Sequence, residues 1–242
     1  MKRQEQGFTL VEIAIVLVII GLLLGGILKG QELINSARVR NLADTTSGIQ
    51  AAYFGFVDRY RRIPGDWDAT TAASAIGGGV NGGGNNNGRI DHTGGVTVYQ
   101  EPNALWEHLS KAGFINGSYD GGTEIPTPQN NNGPFNPFNG AIVVTHTADY
   151  VGVVAPTSRL HLVLGRGIPA DIARELDTKL DDAVPTTGSV RATVDDGGTP
   201  TLTGPGGLSW GGREAVCIDT TVDPDIWDVD ADSQDCNIAY LF

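Results

Sequence analysis

The sequence predicts an α+β fold, in which a long amino-terminal helix crosses a membrane with its first half and packs on an antiparallel sheet with its second. Three observations point to it. Ile13 to Leu28 is an unbroken run of sixteen residues without a polar side chain. An amphipathic pattern continues from there to about Arg62, and four short β-branched segments follow in the second half of the chain. Long loops rich in Gly, Asn and Pro, and two late cysteines that a disulfide would join, complete the layout.

Counted from Phe8, the apolar helix has 21 residues, or about 31 Å at about 1.5 Å per residue, enough to span a bilayer. Lys2 and Arg3 precede it, which by the positive-inside tendency keeps the first residues cytoplasmic. A cleaved secretory signal fits poorly, because Leu28, Lys29 and Gly30 make no small-residue cleavage site and the pattern beyond them stays helical. The chain has 242 residues and a formal charge of −12, which weighs against general nucleic-acid binding.

Glu12 is the anomaly. An isolated charge deep in a membrane helix costs about 2.5 to 3.5 kcal/mol, so this carboxylate needs a partner, a shallow position or a proton. A cut between Gly7 and Phe8 would create an α-amine with a pKa of about 7.7 to 8.0, largely protonated at neutral pH. Within one helix Phe8 and Glu12 stand four residues apart and are neighbours, whereas in a stack of offset copies the amine of one meets the carboxylate of the next.

Lys2-Arg3 through Gly7, then Phe8-Thr9-Leu10-Val11-Glu12 and the apolar helix, resemble the amino-terminal signature of type IV pilins and of type II secretion pseudopilins. The resemblance implies that a membrane peptidase cuts after Gly7 and methylates the new terminus at Phe8, and that Glu12 is the assembly glutamate. It covers about the first 35 residues. The implied organisation is a leader at 1–7, a membrane and filament-core helix at 8–29, its amphipathic continuation at 30–63 and a pilin-like globular domain at 64–242. Gly21, Gly25 and Gly26 fit either close helix contacts or local melting, since glycine costs a helix about 1 kcal/mol against alanine.

Beyond Lys29, Leu33, Ile34, Ala37, Leu42, Ile49, Ala52, Tyr53, Phe56, Val57 and Tyr60 mostly recur at three- and four-residue steps, and Ile63-Pro64-Gly65 ends the helix. Strands are expected at 141–145, 150–154, 160–164 and 190–194. Two further helices are legible. "EPNALWEHLSKAGFI" groups Leu105, Trp106, Leu109 and Ala112 and ends at Gly113, while "IPADIARELDTKLDD" sets Ile172, Leu176 and Leu180 at four-residue steps behind Pro169 and Asp171. "HLSKAGFINGSYDGG" and "LDTKLDDAVPTTGSVRA" are more loosely similar to parts of large pilin-like proteins.

The Gly/Asn run from Gly77 to Gly95 lacks the Lys-Ser or Lys-Thr of a phosphate loop. Asn85, Asn87, Gly88, Ile90 and Asp91 follow the rhythm of a degenerate calcium loop, though glycines stand at the first and last ligand positions; a flexible surface loop is the competing reading. A second polar run, 121–140, reads as a long exposed loop onto which Phe135 and Phe138 fold back. His92, His108, His146 and His161 show no ligand spacing, although His146 and His161 lie beside expected strands where they would converge if they shared a face. No Gly-x-Ser-x-Gly elbow or catalytic cysteine signature occurs, so enzymatic activity is not expected.

Cys217 and Cys236 enclose eighteen residues that include Asp223, Asp225, Asp228, Asp230, Asp232 and Asp235. Outside the cytoplasm a disulfide is their natural state, and the acidic loop lacks the glycine of a calcium loop. The expected function is a filament subunit, alone or mixed with other pilins, handled by a prepilin peptidase and methyltransferase and by inner-membrane assembly machinery. It would rest in the bacterial inner membrane before assembly and then join an extracellular pilus or a periplasmic pseudopilus. A secretion pseudopilin and a membrane-anchored binding protein that never polymerises are the alternatives.

Overall fold

The computed structural model describes residues 10–77, 79–91, 99–152, 157–193, 217–231 and 233–242. Gly7 and Phe8, His92, the ends of two expected strands at 153–154 and 194, and Asp232 lie outside the described residues. The chain forms two compact units, Met1–Arg38 and Val39–Phe242.

Helix α1 spans Leu10–Tyr60. In the first unit it carries the apolar run from Ile13 to Leu28. In the second unit it buries Val39, Leu42, Ala43, Thr46, Ile49, Ala52, Tyr53 and Phe56, a stripe at three- and four-residue steps that makes one wall of the core. Coverage starts at Val39, later than the apolar pattern suggested, and Leu33 and Ile34 are exposed. Thr46 sits in this wall because its hydroxyl donates to the Leu42 carbonyl at 2.8 Å.

The opposing layer is an antiparallel sheet in the order β1-β2-β6-β3, made of β1 Val143–Thr147, β2 Arg159–Val163, β3 Val190–Ala192 and β6 Ile238–Leu241. β1 and β2 lie within two residues of their expected positions. The segment expected at 150–154 is not a strand where it is described: Tyr150 makes only an isolated bridge with Thr193. The interior strand β6 was not legible beforehand, being four residues long.

Helix α3, Gln100–Lys111, packs on β1 and ends through Ala112 at Gly113, whose φ of +79° is the left-handed conformation expected of a helix-terminating glycine. Helix α4, Ala170–Leu180, starts behind Pro169 with Asp171 in its first turn, as its sequence indicated. Helix α2, Ala69–Ile76, was not anticipated; Asp68 caps it by accepting from the Thr71 amide at 3.0 Å. Cys217 and Cys236 form a disulfide, and β4 Ile218–Asp219 pairs with β5 Ile226–Trp227 inside the loop it closes.

Candidate functional site

Two features carry chemistry. The first is the amino-terminal part of α1. It is long and apolar enough to cross a membrane, and none of its membrane-length window is buried. Leu17, Leu22, Leu24 and Leu28 are all more than half exposed. A Cβ added at Gly21, Gly25, Gly26 or Gly30 would meet nothing within 4 Å, so no described neighbour in this chain requires glycine there. Glu12 occupies the first turn, where the helix dipole and unpaired backbone amides favour a carboxylate.

The second is the Gly/Asn segment, 79–91 as described. Over these described residues the expectation of a flexible loop is corrected, because buried acids, buried His108 and half-buried His146 lace the backbone. Glu107 accepts from the Asn81 amide at 2.9 Å and the Gly82 amide at 2.6 Å, and pairs with Lys111 at 2.6 Å. Glu101 accepts from Asn85 at 2.9 Å and Asp91 at 2.6 Å, and Asp66 from Asn87 at 2.9 Å and Gly88 at 2.8 Å. His108 Nδ1 accepts from the Gly65 amide at 3.1 Å, which leaves Nε2 as the donor toward the Gly82 carbonyl at 3.0 Å. His146 Nδ1 accepts from the Ile90 amide at 2.9 Å. Each carboxylate thereby answers two backbone donors that a non-repetitive segment would leave unpaired.

Glu101 and Glu107 stand on α3, Glu101 one turn before Leu105, and Asp66 stands ahead of α2. Burial pushes the Glu101 carboxyl up to about 7, against the pull of the two amides and with Asp66 and Asp91 adding to the rise. Between about 4.5 and 7 the folded chain therefore keeps a proton that the unfolded chain has lost, and this group lowers stability as pH rises through that window. Burial lowers His108 and His146, so their contribution has the opposite sign and is lost as pH falls below 6.5. Glu101→Gln is expected to be less stable than the parent chain by a margin that shrinks between pH 5 and pH 8. Calorimetric melting at both values reads this, and a constant margin would assign the pH dependence elsewhere.

Asn85, Asn87 and Asp91 are gathered in one turn of this segment. Asn85 Oδ1 accepts from the Asn87 amide at 3.0 Å, Asn87 Oδ1 accepts from the Arg89 amide at 2.9 Å, and Asn87 Nδ2 donates to Asp91. A calcium ion there would compete with these bonds. His146 and His161 lie on neighbouring strands, but His161 pairs in register with Thr145 and His146 with Leu160, so the two rings take opposite faces of the sheet and do not converge.

Asparagines also organise the 121–140 loop. Asn136 donates to the Leu164 carbonyl at 2.9 Å and accepts from the Phe138 and Gly140 amides, both at 2.8 Å. Phe138 packs against the core and Phe135 bridges to Ala141.

An exposed apolar helix that leads into a disulfide-closed α+β domain fits membrane anchoring. Residues 2–28 match the family model described as the prokaryotic N-terminal methylation motif, the signature of type IV pilins and pseudopilins. The match supports the pilin-like class and fits membrane anchoring, and it leaves the remaining residues to be read from their own structure. No curated protein and no solved structure matches the chain.

Proposed function

We propose that this chain is the structural subunit of a type IV pilus-like filament. The reading rests on one conjunction: a methylation motif at residues 2–28 on a helix whose membrane-length apolar window is not buried by the chain itself. Such a surface is stable in lipid, and equally stable against copies of itself, so the subunit exchanges one apolar environment for another on assembly.

In this scheme Lys2 and Arg3 hold the leader in the cytoplasm, cleavage follows Gly7, and Phe8 becomes the methylated terminus. Glu12 then pairs the Phe8 amine of a neighbouring subunit and sets the axial offset between helices. The open positions at Gly21, Gly25 and Gly26 let neighbouring helices approach closely. Shearing cells and identifying this chain by peptide mass in the released filaments tests the proposal. Recovery only from the cell envelope, in polymers that never reach the surface, would move the chain to the secretion pseudopilins, and recovery only as monomer would make it a non-polymerising anchor.

A further inference from the structure

Two surfaces of the globular unit have no part in the scheme above. One is the disulfide-held loop. Val222, Ile226 and Val229 are 41%, 44% and 36% exposed, and with Phe54 they are the exposed large apolar side chains among the described residues of that unit. Asp223, Asp225 and Asp228 alternate with them, and no Lys or Arg lies between the two cysteines. Trp227 points inward and donates to Asp177 at 2.7 Å, so the loop is fixed beneath as well as at its ends.

The other is a half-open cleft of about 200 Å³ where α1 ends. Val57, Ile63 and Trp67 supply apolar lining, and the exposed Arg61 and Arg62 supply positive charge. The acids nearby are engaged: Asp66 answers the Asn87 and Gly88 amides, Asp58 pairs with Arg61 at 3.1 Å, and Asp68 caps α2. Arg62 makes no ion pair with a described residue. Arg61 and Asn86, both lining the cleft, hold left-handed φ values of +54° and +59°.

We infer that these surfaces are two halves of one contact, in which the Val222–Asp230 loop of one copy seats in the α1-end cleft of a second copy. Apolar loop side chains meet Val57, Ile63 and Trp67, and a loop aspartate meets Arg62. Two copies of a chain of charge −12 repel at long range, so a local pairing of acid with arginine selects the one docking in which that repulsion is relieved. Because the patches differ, the contact is heterologous and repeats head to tail, which is what an open filament requires. The inference rests on the filament reading for bringing copies together.

The test places Ile63→Cys and Ile226→Cys in the same full-length chain and applies mild oxidation to native membranes and to sheared filaments. Non-reducing electrophoresis is expected to show a ladder of dimers, trimers and higher species, whereas either single variant, with one thiol in the contact, stays monomeric. In that background Arg62→Asp should lower the ladder several-fold, and adding Asp225→Arg should restore it. No ladder in either preparation, or a ladder indifferent to the charge reversal, overturns the contact. Filaments without a ladder would sink the contact and leave the filament reading standing; a ladder in membranes from cells that make no filament would do the reverse.

Discussion

Sheared filaments are expected to be lost when Glu12 is replaced by alanine, while the chain still inserts and its globular unit still folds. The sizes of the competing effects support this expectation. Removing the carboxylate makes the helix more apolar, so insertion is not impaired and gains up to about 2.5 to 3.5 kcal/mol. In the filament the same change strands the neighbour's Phe8 amine without its anion, and breaking a buried pair from one side costs about 3 to 5 kcal/mol. At about 1.4 kcal/mol per factor of ten, each subunit addition weakens by more than about a hundredfold. Electron microscopy of sheared fractions, with circular dichroism of the detergent-extracted chain, separates assembly from folding. Normal filament yield from Glu12→Ala would remove the pairing from the scheme.

Replacing both cysteines by serine is expected to lower the melting temperature of the extracted chain by roughly 10 °C. Residues 217 and 236 lie 19 apart, and closing a loop of that size stabilises by about 3 kcal/mol on chain-entropy grounds. For a domain of this size about 1 kcal/mol corresponds to about 2 to 4 °C. The loss should be local at first. Cys236 exchanges backbone hydrogen bonds with Ile168 at 3.1 and 2.8 Å, and Asp228 donates to the Cys217 carbonyl at 2.9 Å, so the end of the sheet next to α4 and the seat of Trp227 loosen together. Calorimetry paired with tryptophan emission reads both effects. A shift of less than about 2 °C would mean that packing around Trp227 holds the loop without the covalent link.

The long helix and its end were legible because they depend on local order. Apolar spacing sets the buried stripe from Val39 to Phe56, and Ile63-Pro64-Gly65 stops the helix whatever surrounds it. α3 and α4 were legible for the same reason. The sheet was only partly so: β1 and β2 carry enough β-branched and apolar residues to be seen, whereas β6 is recognisable only once β2 and β3 stand on either side of it. Helix α2 escaped notice because seven of its eight residues are alanine, serine or threonine without an apolar stripe, and its signal was the single cap at Asp68.

The Gly/Asn segment shows the limit most clearly. Nothing local distinguishes a loose glycine loop from one whose amides are answered by Glu101 and Glu107, because those acids lie 10 to 26 residues away and become visible only when α3 is in place. An available clue was the composition of α3 itself, which sets two acids and a histidine among its buried apolar residues. At the amino terminus the signal ran the other way. Gly7, Phe8 and Glu12 have their meaning in the sequence, since the chemistry they imply is done between molecules.

The most direct test of the scheme is the intact mass and amino-terminal fragment spectrum of the chain recovered from filaments. The scheme predicts a chain that begins at Phe8, heavier by one methyl group on its amine, with residues 1–7 missing. Polymerised chains that still carry Met1 to Gly7 would contradict it, because no new amine would then exist for Glu12 to meet.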